Sequence, residues 1–272
     1  MWRVSAMGSG GCCITCATFT SLFCFKEMNG GNPYAGLVQG AGGSFYGTTV
    51  SGGAYFNNCG GFSCGTVFKI TPDGTLTSFY SFCPGGGGCT DGATPYGGGL
   101  VKGTDGNFYG TTEAGGPRPH ACGGDYGCGT VFKITPSGTL TTLHSFDVTD
   151  GESVYAGLLQ GTNGSFYGTT YYGGLYGNCI AACGTVYSIS MGLGPFVETN
   201  PAAGKVGAAV KILGTDLTGS TSVTFNRTAA TFTVKSKSLI TTVVPTRATT
   251  GTVEVVTPKG TLSSNVPFQV LP

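Results

Sequence analysis

The sequence predicts an all-β protein, with a β-propeller-like array of about three four-stranded blades followed by an immunoglobulin-like β-sandwich. The pentapeptide Phe-Tyr-Gly-Thr-Thr occurs at Phe45–Thr49, Phe108–Thr112 and Phe166–Thr170. A second block, Cys-Gly-Thr-Val, follows at residues 64–67, 128–131 and 183–186. Blocks that recur in this order indicate repeated supersecondary units. The composition then changes, because 45 of the 51 glycines and all twelve cysteines lie no later than Gly194.

Each unit begins with a predicted β-hairpin. A short apolar segment starts at Gly36, Gly99 or Gly157, and a turn separates it from the pentapeptide. The second and third turns contain Asp105-Gly106 and Asn163-Gly164, and such pairs are the strongest short-range hairpin signal. The pentapeptide is therefore expected to form the second strand of each unit, paired with the first.

Two further strands are predicted in a full unit. Residues 66–71, 130–135 and 185–190 are rich in β-branched and aromatic side chains, which favours third strands. Turns at residues 72–74 and 136–138 then lead to fourth strands at residues 76–82 and 140–146. Apolar side chains on both faces of these strands favour sheets packed face to face, as blades are.

The first and last units are incomplete. Residues 18–25 match the fourth-strand pattern, whereas the third unit stops at Ser190 without a fourth strand. The N-terminal strand is therefore expected to close the third unit. Since three blades are fewer than a propeller usually has, the chain is predicted to be a piece of a longer array, to assemble through exposed edges, or to remain an open stack.

Cysteine pairs recur in the loop between the second and third strands of every unit. They are Cys59 with Cys64, Cys122 with Cys128, and Cys179 with Cys183, and Cys83 and Cys89 bracket a later Pro-Gly run. Near neighbours of this kind predict local disulfides and an oxidising compartment. The alternative is zinc, but the sequence shows no nearby second half of a site, so no metal is predicted. Four more cysteines form no such pattern: Cys12, Cys13, Cys16 and Cys24.

The candidate binding residues are Tyr46, Tyr109 and Tyr167, which occupy the same place in the three pentapeptides. Rows of aromatic rings on a repeated face stack on sugar rings, which favours carbohydrate binding. Tyrosines fixed in strands also pack between blades, and both interpretations stay open.

No catalytic site and no cofactor are predicted. The histidines are His120 and His144, and His144 takes the strand position that Tyr80 holds in the first unit, which favours packing. Calcium binding at residues 147–152 is an alternative to ordinary Asp-Gly turn chemistry. A propeller-type glycan hydrolase or lyase is another alternative, and it requires paired carboxylates in a central channel.

Charge and hydropathy exclude two classes of partner. Charged residues make up 9% of the chain without a Lys/Arg cluster, which excludes nucleic acid as a predicted partner. No run of eighteen apolar residues occurs, so no membrane insertion is predicted.

Alternating apolar residues predict about seven short strands after Pro195, and hence a small β-sandwich. The alternating pairs are Val210 and Ile212, Val223 and Phe225, Phe232 and Val234, Val253 and Val255, and Phe268 and Val270. Turns such as Asn200-Pro201 and Gly214-Thr215-Asp216 separate these strands.

The repeats resemble the GloVer (choice-of-anchor) tandem-repeat family of bacterial surface proteins. The resemblance covers roughly residues 18–190 and rests on Phe-Tyr-Gly-Thr-Thr, Cys-Gly-Thr-Val-Phe-Lys-Ile-Thr-Pro and Gly-Thr-Leu-Thr in fixed order. It implies an exported, propeller-like array and supplies no functional residues.

The C-terminal part resembles an IPT/TIG domain, an immunoglobulin-like module of extracellular proteins. The resemblance rests on Asn200-Pro201, Val210-Lys211-Ile212, Val223-Thr224-Phe225 and Val244-Pro245. Arg227 stands where the family pattern has glycine. The resemblance implies a spacer or a binding module.

Three segments are therefore expected: a poorly defined N-terminal segment at 1–17, propeller-like repeats at 18–192, and the IPT/TIG domain at 195–272. Repeated structure without a catalytic base predicts a non-enzymatic extracellular or cell-surface protein that acts in adhesion or binding. The expected partners are a polysaccharide or another surface protein, together with self-association through strand edges.

Overall fold

The computed structural model describes residues 19–59, 64–85, 88–117, 122, 127–175 and 183–272. The predicted N-terminal segment 1–17 therefore lies outside the described residues. The described chain is built from β-strands with three short 3-10 helices, at Glu27–Asn29, Ala41–Gly43 and Phe56–Asn58. The predicted all-β class is confirmed.

The first two units are four-stranded antiparallel meanders, with their strands in chain order. The first consists of β1 (Val38–Gln39), β2 (Phe45–Thr49), β3 (Thr66–Ile70) and β4 (Leu76–Ser81). The second consists of β5 (Val101–Lys102), β6 (Phe108–Thr112), β7 (Thr130–Ile134) and β8 (Leu140–Ser145). The third unit has three described strands, β9 (Leu159–Gln160), β10 (Phe166–Thr170) and β11 (Thr185–Ile189), in the order β11-β10-β9.

The two repeated blocks have a direct structural explanation in these sheets. The glycine of the pentapeptide lies beneath an aromatic ring of the third strand, and a Cβ atom at Gly47 would lie 2.7 Å from Phe68 Cζ. The second threonine of the pentapeptide bonds to the threonine of Cys-Gly-Thr-Val, with Thr49 Oγ1 2.8 Å from Thr66 Oγ1. The same hydroxyl pair occurs in the second and third units. Both blocks thus fix the pairing of the second and third strands.

Successive sheets stack face to face through aromatic rings. Tyr46 stacks on Phe108 at 4.3 Å between ring centroids, and Tyr109 lies 4.1 Å from Phe166. A second layer of contacts joins Phe82 to Phe132 at 5.4 Å. Aromatic pairs contribute about 0.5–1.5 kcal/mol in addition to the energy of burying their surface, so these contacts help to hold successive units together. The arrangement of the described units is blade-like.

The N-terminal segment does not close the third unit, and that prediction is wrong for the described residues. Residues 19–26 form no strand. Phe25 instead packs edge-on against Phe68 of the first unit, with ring centroids 5.0 Å apart. Phe82 makes the same kind of contact with Phe132 one unit later. The sequence match therefore identified an equivalent residue, but the segment covers the first sheet.

The C-terminal domain is a sandwich of two four-stranded sheets. The first sheet has the order β12-β14-β18-β17, with β12 (Glu198–Asn200), β14 (Ala209–Leu213), β17 (Phe232–Ser236) and β18 (Leu239–Val243). The second has the order β16-β15-β19-β20, with β15 (Ser222–Phe225), β16 (Thr228–Ala229), β19 (Val253–Thr257) and β20 (Gly260–Ser263). A parallel pair, β13 (Ala203–Gly204) and β21 (Gln269–Val270), lies beside them.

The core of the sandwich contains the predicted inward-facing residues. Val210, Ile212, Val223 and Phe225 are all almost completely buried, and Phe225 meets Phe268 edge-on at 5.1 Å. Apolar side chains at every second position of facing sheets bury one side of each strand, which is the basis of a sandwich core.

The sandwich is attached to the turn between β9 and β10. The Phe196 amide donates to the Thr162 carbonyl at 2.9 Å, and Thr162 Oγ1 lies 3.0 Å from Thr215 Oγ1. These contacts place the loops around Thr215 beside the third unit.

Candidate functional site

The three sequence-predicted tyrosines have two different environments. Tyr46 and Tyr109 are buried, and each ring packs against the phenylalanine ring of the next unit. Their position fits the packing interpretation. Tyr167 has no following unit in the described chain and is 38% exposed.

Tyr167 lines an open cleft of about 360 Å³ between the third unit and the sandwich. Its hydroxyl accepts a hydrogen bond from Asn163 Nδ2 at 2.7 Å. On the sandwich side, the Lys259 ammonium donates to Asp216 at 2.7 Å and holds the pKa of that carboxyl below its usual value. The remaining lining residues are Gly161, Thr162, Gly214, Thr215, Lys237 and Ser238.

A second set of tyrosines, absent from the sequence prediction, forms a continuous row along the described units. Tyr34 stacks on Tyr96 at 5.1 Å, Tyr96 meets Tyr155 at 5.5 Å, and Tyr155 meets Tyr171 at 5.4 Å. Tyr172 extends this tyrosine row, 4.4 Å from Tyr171. Tyr34 is 69% exposed and Tyr171 is 59% exposed, so ring surface remains open to solvent.

Three members of the row come from one position in the segment that precedes the first strand of each unit, whereas Tyr171 and Tyr172 follow β10. Tyr34, Tyr96 and Tyr155 each follow by two residues a non-glycine residue with positive φ: Asn32, Thr94 and Ser153. Such conformations are uncommon and need support from their surroundings. The Thr94 and Ser153 amides are fixed by the carbonyls of Cys64 and Cys128, at 3.0 and 3.1 Å. The segments before Tyr96 and Tyr155 are therefore anchored to the preceding unit in the same way.

Close approach of neighbouring connecting segments brings the rings together. A Cβ atom at Gly98 would lie 2.6 Å from the backbone of Gly157, so the two segments touch without side chains between them. Thr111 of the second unit also donates a hydrogen bond to the Ala156 carbonyl at 2.9 Å. A recurring tyrosine next to glycines was the sequence signal for this row.

Acidic groups lie next to the row. Burial, together with a hydrogen bond to Glu113 and the charge of Glu113, raises the pKa of Tyr155. Burial also raises the pKa of Glu152, which pairs through its backbone with Tyr172. The site thus combines open aromatic faces with carboxylate oxygens that accept hydrogen bonds.

Three of the four predicted disulfides are present: Cys59–Cys64, Cys83–Cys89 and Cys122–Cys128, with Cα separations of 5.6, 4.6 and 5.4 Å. Cys183 is also disulfide-bonded, whereas its predicted partner Cys179 lies outside the described residues. Cys24 is free and exposed, and Cys12, Cys13 and Cys16 lie outside the described residues.

His144 forms a polar pair instead of being fully packed. Its Nε2 lies 2.8 Å from Asp150 Oδ2, and both groups line a cavity of about 200 Å³ between the second and third units. In the first unit Tyr80 donates to Asp91 at 2.8 Å in the same way. Burial raises the pKa of Asp91. His120 lies outside the described residues.

Potential metal ligands come together at one place in the described residues. Cys59, Cys64 and Cys83 have sulfur atoms within 4.8 Å of one another. The alternative calcium site at residues 147–152 has no such cluster within the part of the chain that the structure describes.

Comparison with known proteins identifies the C-terminal module. Residues 196–270 match the family model of the IPT/TIG domain. The resemblance of the repeats to the GloVer family stays a prediction. No curated protein matches the chain significantly. In the described residues, no helix has the length and apolar character needed to cross a membrane.

Several solved structures are similar in part. SGBP-B from a complex xyloglucan utilization locus in Bacteroides uniformis is 18% identical, with 51% of this chain and 34% of that chain covered and a TM-score of 0.24. A fungal alcohol oxidase of the AA5 family, in complex with copper, is 14% identical, with 86% of this chain and 53% of that chain covered and a TM-score of 0.36. A crystal structure with xylogluco-oligosaccharide is 16% identical, with 80% of this chain and 48% of that chain covered and a TM-score of 0.26. The chain spans only a third to a half of these structures, and similarities this distant carry no weight for function.

Proposed function

We propose that this chain is an extracellular or cell-surface binding protein whose tyrosine row holds a polysaccharide chain without cleaving it. The observation that carries the proposal is the row itself, in which partly exposed rings follow one another at 4.4–5.5 Å. Sugar rings have apolar faces lined by C–H groups, and these faces stack on aromatic rings. A row of open rings therefore suits an extended chain of sugars.

The polar surroundings support the same ligand. Glu113 and Glu152 lie beside the row and offer oxygens that accept hydrogen bonds from sugar hydroxyls. The cleft at Tyr167 is a second candidate site, because it also places an open aromatic ring among polar groups.

An extracellular location is part of the proposal. Three disulfides lie in the described units, and disulfides persist in oxidising compartments. Binding to another surface protein is the alternative for the same exposed aromatic surface, since tyrosine is enriched in protein interfaces.

The test is binding to a panel of purified polysaccharides: cellulose, mixed-linkage β-glucan, xylan, mannan and chitin. We expect at least one to retain the wild-type chain in pull-down or affinity electrophoresis. Tyr96→Ala and Tyr155→Ala are each expected to weaken binding by roughly tenfold, equivalent to about 1.4 kcal/mol, because each removes a stacking surface. Product analysis of the same mixtures is expected to show no newly formed chain ends.

Tyr167→Ala is the matched control, since it removes a partly exposed tyrosine away from the row. It is expected to bind as the wild type does. Loss of binding in Tyr167→Ala alone would move the site to the cleft. Failure to bind any polysaccharide would reject the proposed ligand class, and new chain ends would establish the hydrolase or lyase alternative. Circular dichroism checks that each variant keeps its fold.

A further inference from the structure

We propose that Cys59, Cys64, Cys83 and Cys89 form a tetrathiolate site for Zn²⁺ or a similar soft divalent cation when their two disulfides are reduced. The site is independent of the proposed polysaccharide binding. In the sequence, Cys59 and Cys64 have no second pair of metal ligands close by. The fold supplies that pair, Cys83 and Cys89, from the segment after β4.

The sulfur atoms of Cys59, Cys64 and Cys83 already lie together, and the sulfur of Cys89 adjoins this group at Cys59. Cys59 Sγ is 3.1 Å from Cys83 Sγ and 3.6 Å from Cys89 Sγ, although these pairs are not bonded to each other. Cys59, Cys64 and Cys83 have all their sulfur atoms within 4.8 Å. In a tetrahedral zinc site with Zn–S bonds of about 2.3 Å, the sulfur atoms are about 3.8 Å apart. To place four thiolates around one ion, the Cys89 side chain must move towards that of Cys64, with smaller movements of the other three.

Burial favours a closed site. Cys59, Cys64 and Cys83 are at most 5% exposed, and Cys89 is half-buried. The same three buried cysteines belong to the apolar core between the first and second units. Structural zinc sites are closed and use four protein ligands, so this environment fits a structural site better than a catalytic one.

The site is confined to the first unit. In the second unit the disulfide Cys122–Cys128 occupies the place of Cys59–Cys64. Asp147 follows Phe146 there, whereas Cys83 follows Phe82 in the first unit. The second unit therefore keeps a single cysteine pair and serves as an internal comparison.

Reduction of the two disulfides requires a reductant, and a phosphine supplies the electrons. A water-soluble phosphine breaks each S–S bond by taking up one oxygen atom from water, and it leaves two thiols and a phosphine oxide. The four thiols then lose four protons as one divalent cation binds, which gives a complex of charge −2. Metal uptake thus releases protons and opposes reoxidation of the two disulfides.

The experiment is a Co²⁺ titration of the full chain after reduction with a phosphine under nitrogen. Tetrahedral Co²⁺–thiolate complexes have characteristic visible and near-ultraviolet absorption. We expect the Cys122→Ser/Cys128→Ser variant to retain the tetrahedral spectrum, and the Cys83→Ser/Cys89→Ser variant to bind one Co²⁺ fewer per chain. Both variants share the N-terminal cysteines, so any binding there cancels in the comparison.

Zn²⁺ should displace the bound Co²⁺ and remove its spectrum. A second readout is reoxidation, because bound Zn²⁺ is expected to slow the return of disulfides in the Cys122→Ser/Cys128→Ser variant and not in the other. Equal Co²⁺ stoichiometry and equal reoxidation in the two variants would overturn the proposal. Circular dichroism before titration shows whether each reduced variant keeps its strands, and a folded Cys122→Ser/Cys128→Ser variant without the tetrahedral spectrum would also overturn it.

Discussion

Two aspartates show how local contacts move a carboxyl pKa in opposite directions. Asp91 lies between the first and second units, and burial raises its pKa even though Tyr80 donates a hydrogen bond to it. Asp216 is exposed, and its hydrogen bond and ion pair with Lys259 lower its pKa. The two residues therefore contribute to stability with opposite dependence on pH.

Asp91→Asn is expected to gain stability relative to the wild type as the pH rises. The folded protein favours protonated Asp91, so its contribution is full below the ordinary aspartate pKa and is lost as the pH rises through the raised value. Asparagine stays neutral and keeps an oxygen that accepts from Tyr80. Thermal melts of both proteins between acidic and neutral pH measure the difference, which should approach zero at the acidic end.

Asp216→Asn is the control, because its stability relative to the wild type should change with pH in the opposite direction. Asp216 contributes stability above its ordinary pKa, and this contribution is lost as the pH falls through the lowered value. The variant should therefore be the less stable protein at neutral pH and equal to the wild type in acid. Its positive φ of 56° suits asparagine, so the change removes mainly the charge. If the stability difference from the wild type changed with pH in the same direction for both variants, the opposite pKa shifts assigned to Asp91 and Asp216 would be contradicted.

At the scale of elements, the connecting segments decide where the tyrosine row lies. Gly157 and Gly36 hold the same position in the third and first units, but their surroundings differ. A Cβ atom at Gly157 would overlap the Gly98 carbonyl, whereas one at Gly36 would meet nothing within 4 Å. The close approach is thus a property of the contact between units.

Gly157→Ala is expected to destabilise the protein by about 1–3 kcal/mol, because the added methyl group forces two backbone segments apart. Gly36→Ala is the matched control and should change stability little, or raise it by up to about 1 kcal/mol, by restricting the unfolded chain. Urea unfolding with the disulfides intact measures both. Equal stability of the two variants would show that the segments separate without cost.

The strands were predictable from sequence to a greater extent than the site. The pentapeptides form β2, β6 and β10 residue for residue, because each contains the glycine and threonine that fix its pairing within one unit. The sequence does not predict the tyrosine row, because Tyr34, Tyr96 and Tyr155 lie in glycine-rich segments without strand or helix periodicity. The recurrence of these tyrosines is visible in the sequence, but their contacts join different units, and local patterns do not specify such contacts.

The same reason explains the cysteine cluster. Each pair was predictable from its short spacing, but the contact of Cys59 with Cys83 depends on how the end of β4 returns to the loop before β3. The position of the N-terminal segment is not predictable for a related reason, since its match to a fourth strand does not specify which sheet Phe25 contacts.

At the scale of the whole molecule, the third unit differs from the first two on its outer side. Val67 and Val131 are fully buried, whereas the equivalent Val186 is 81% exposed. Strand β11 is an edge of its sheet in the described chain and pairs with β10 without a register shift. The pairs β3–β4 and β7–β8 each carry a register shift, a feature that discourages further pairing at an edge.

We therefore expect self-association through β11 and its suppression by Val186→Lys. A charge on each of two neighbouring edge strands opposes their pairing. Sedimentation velocity over a range of protein concentrations measures the change, with Val206→Lys as a control at another partly exposed valine in the sandwich. A monomeric wild type, or the same effect from both variants, would contradict the role of this edge.

The spacing of the disulfide-bonded cysteines also affects how the protein would unfold under mechanical tension. The three described disulfides join residues that are only five or six positions apart, so none links one unit to another. Under tension from its two ends the chain would yield unit by unit, and each bridge would withhold only a few residues of about 3.5 Å each from its contour length. The bridges thus shape the loops but give little protection against mechanical extension.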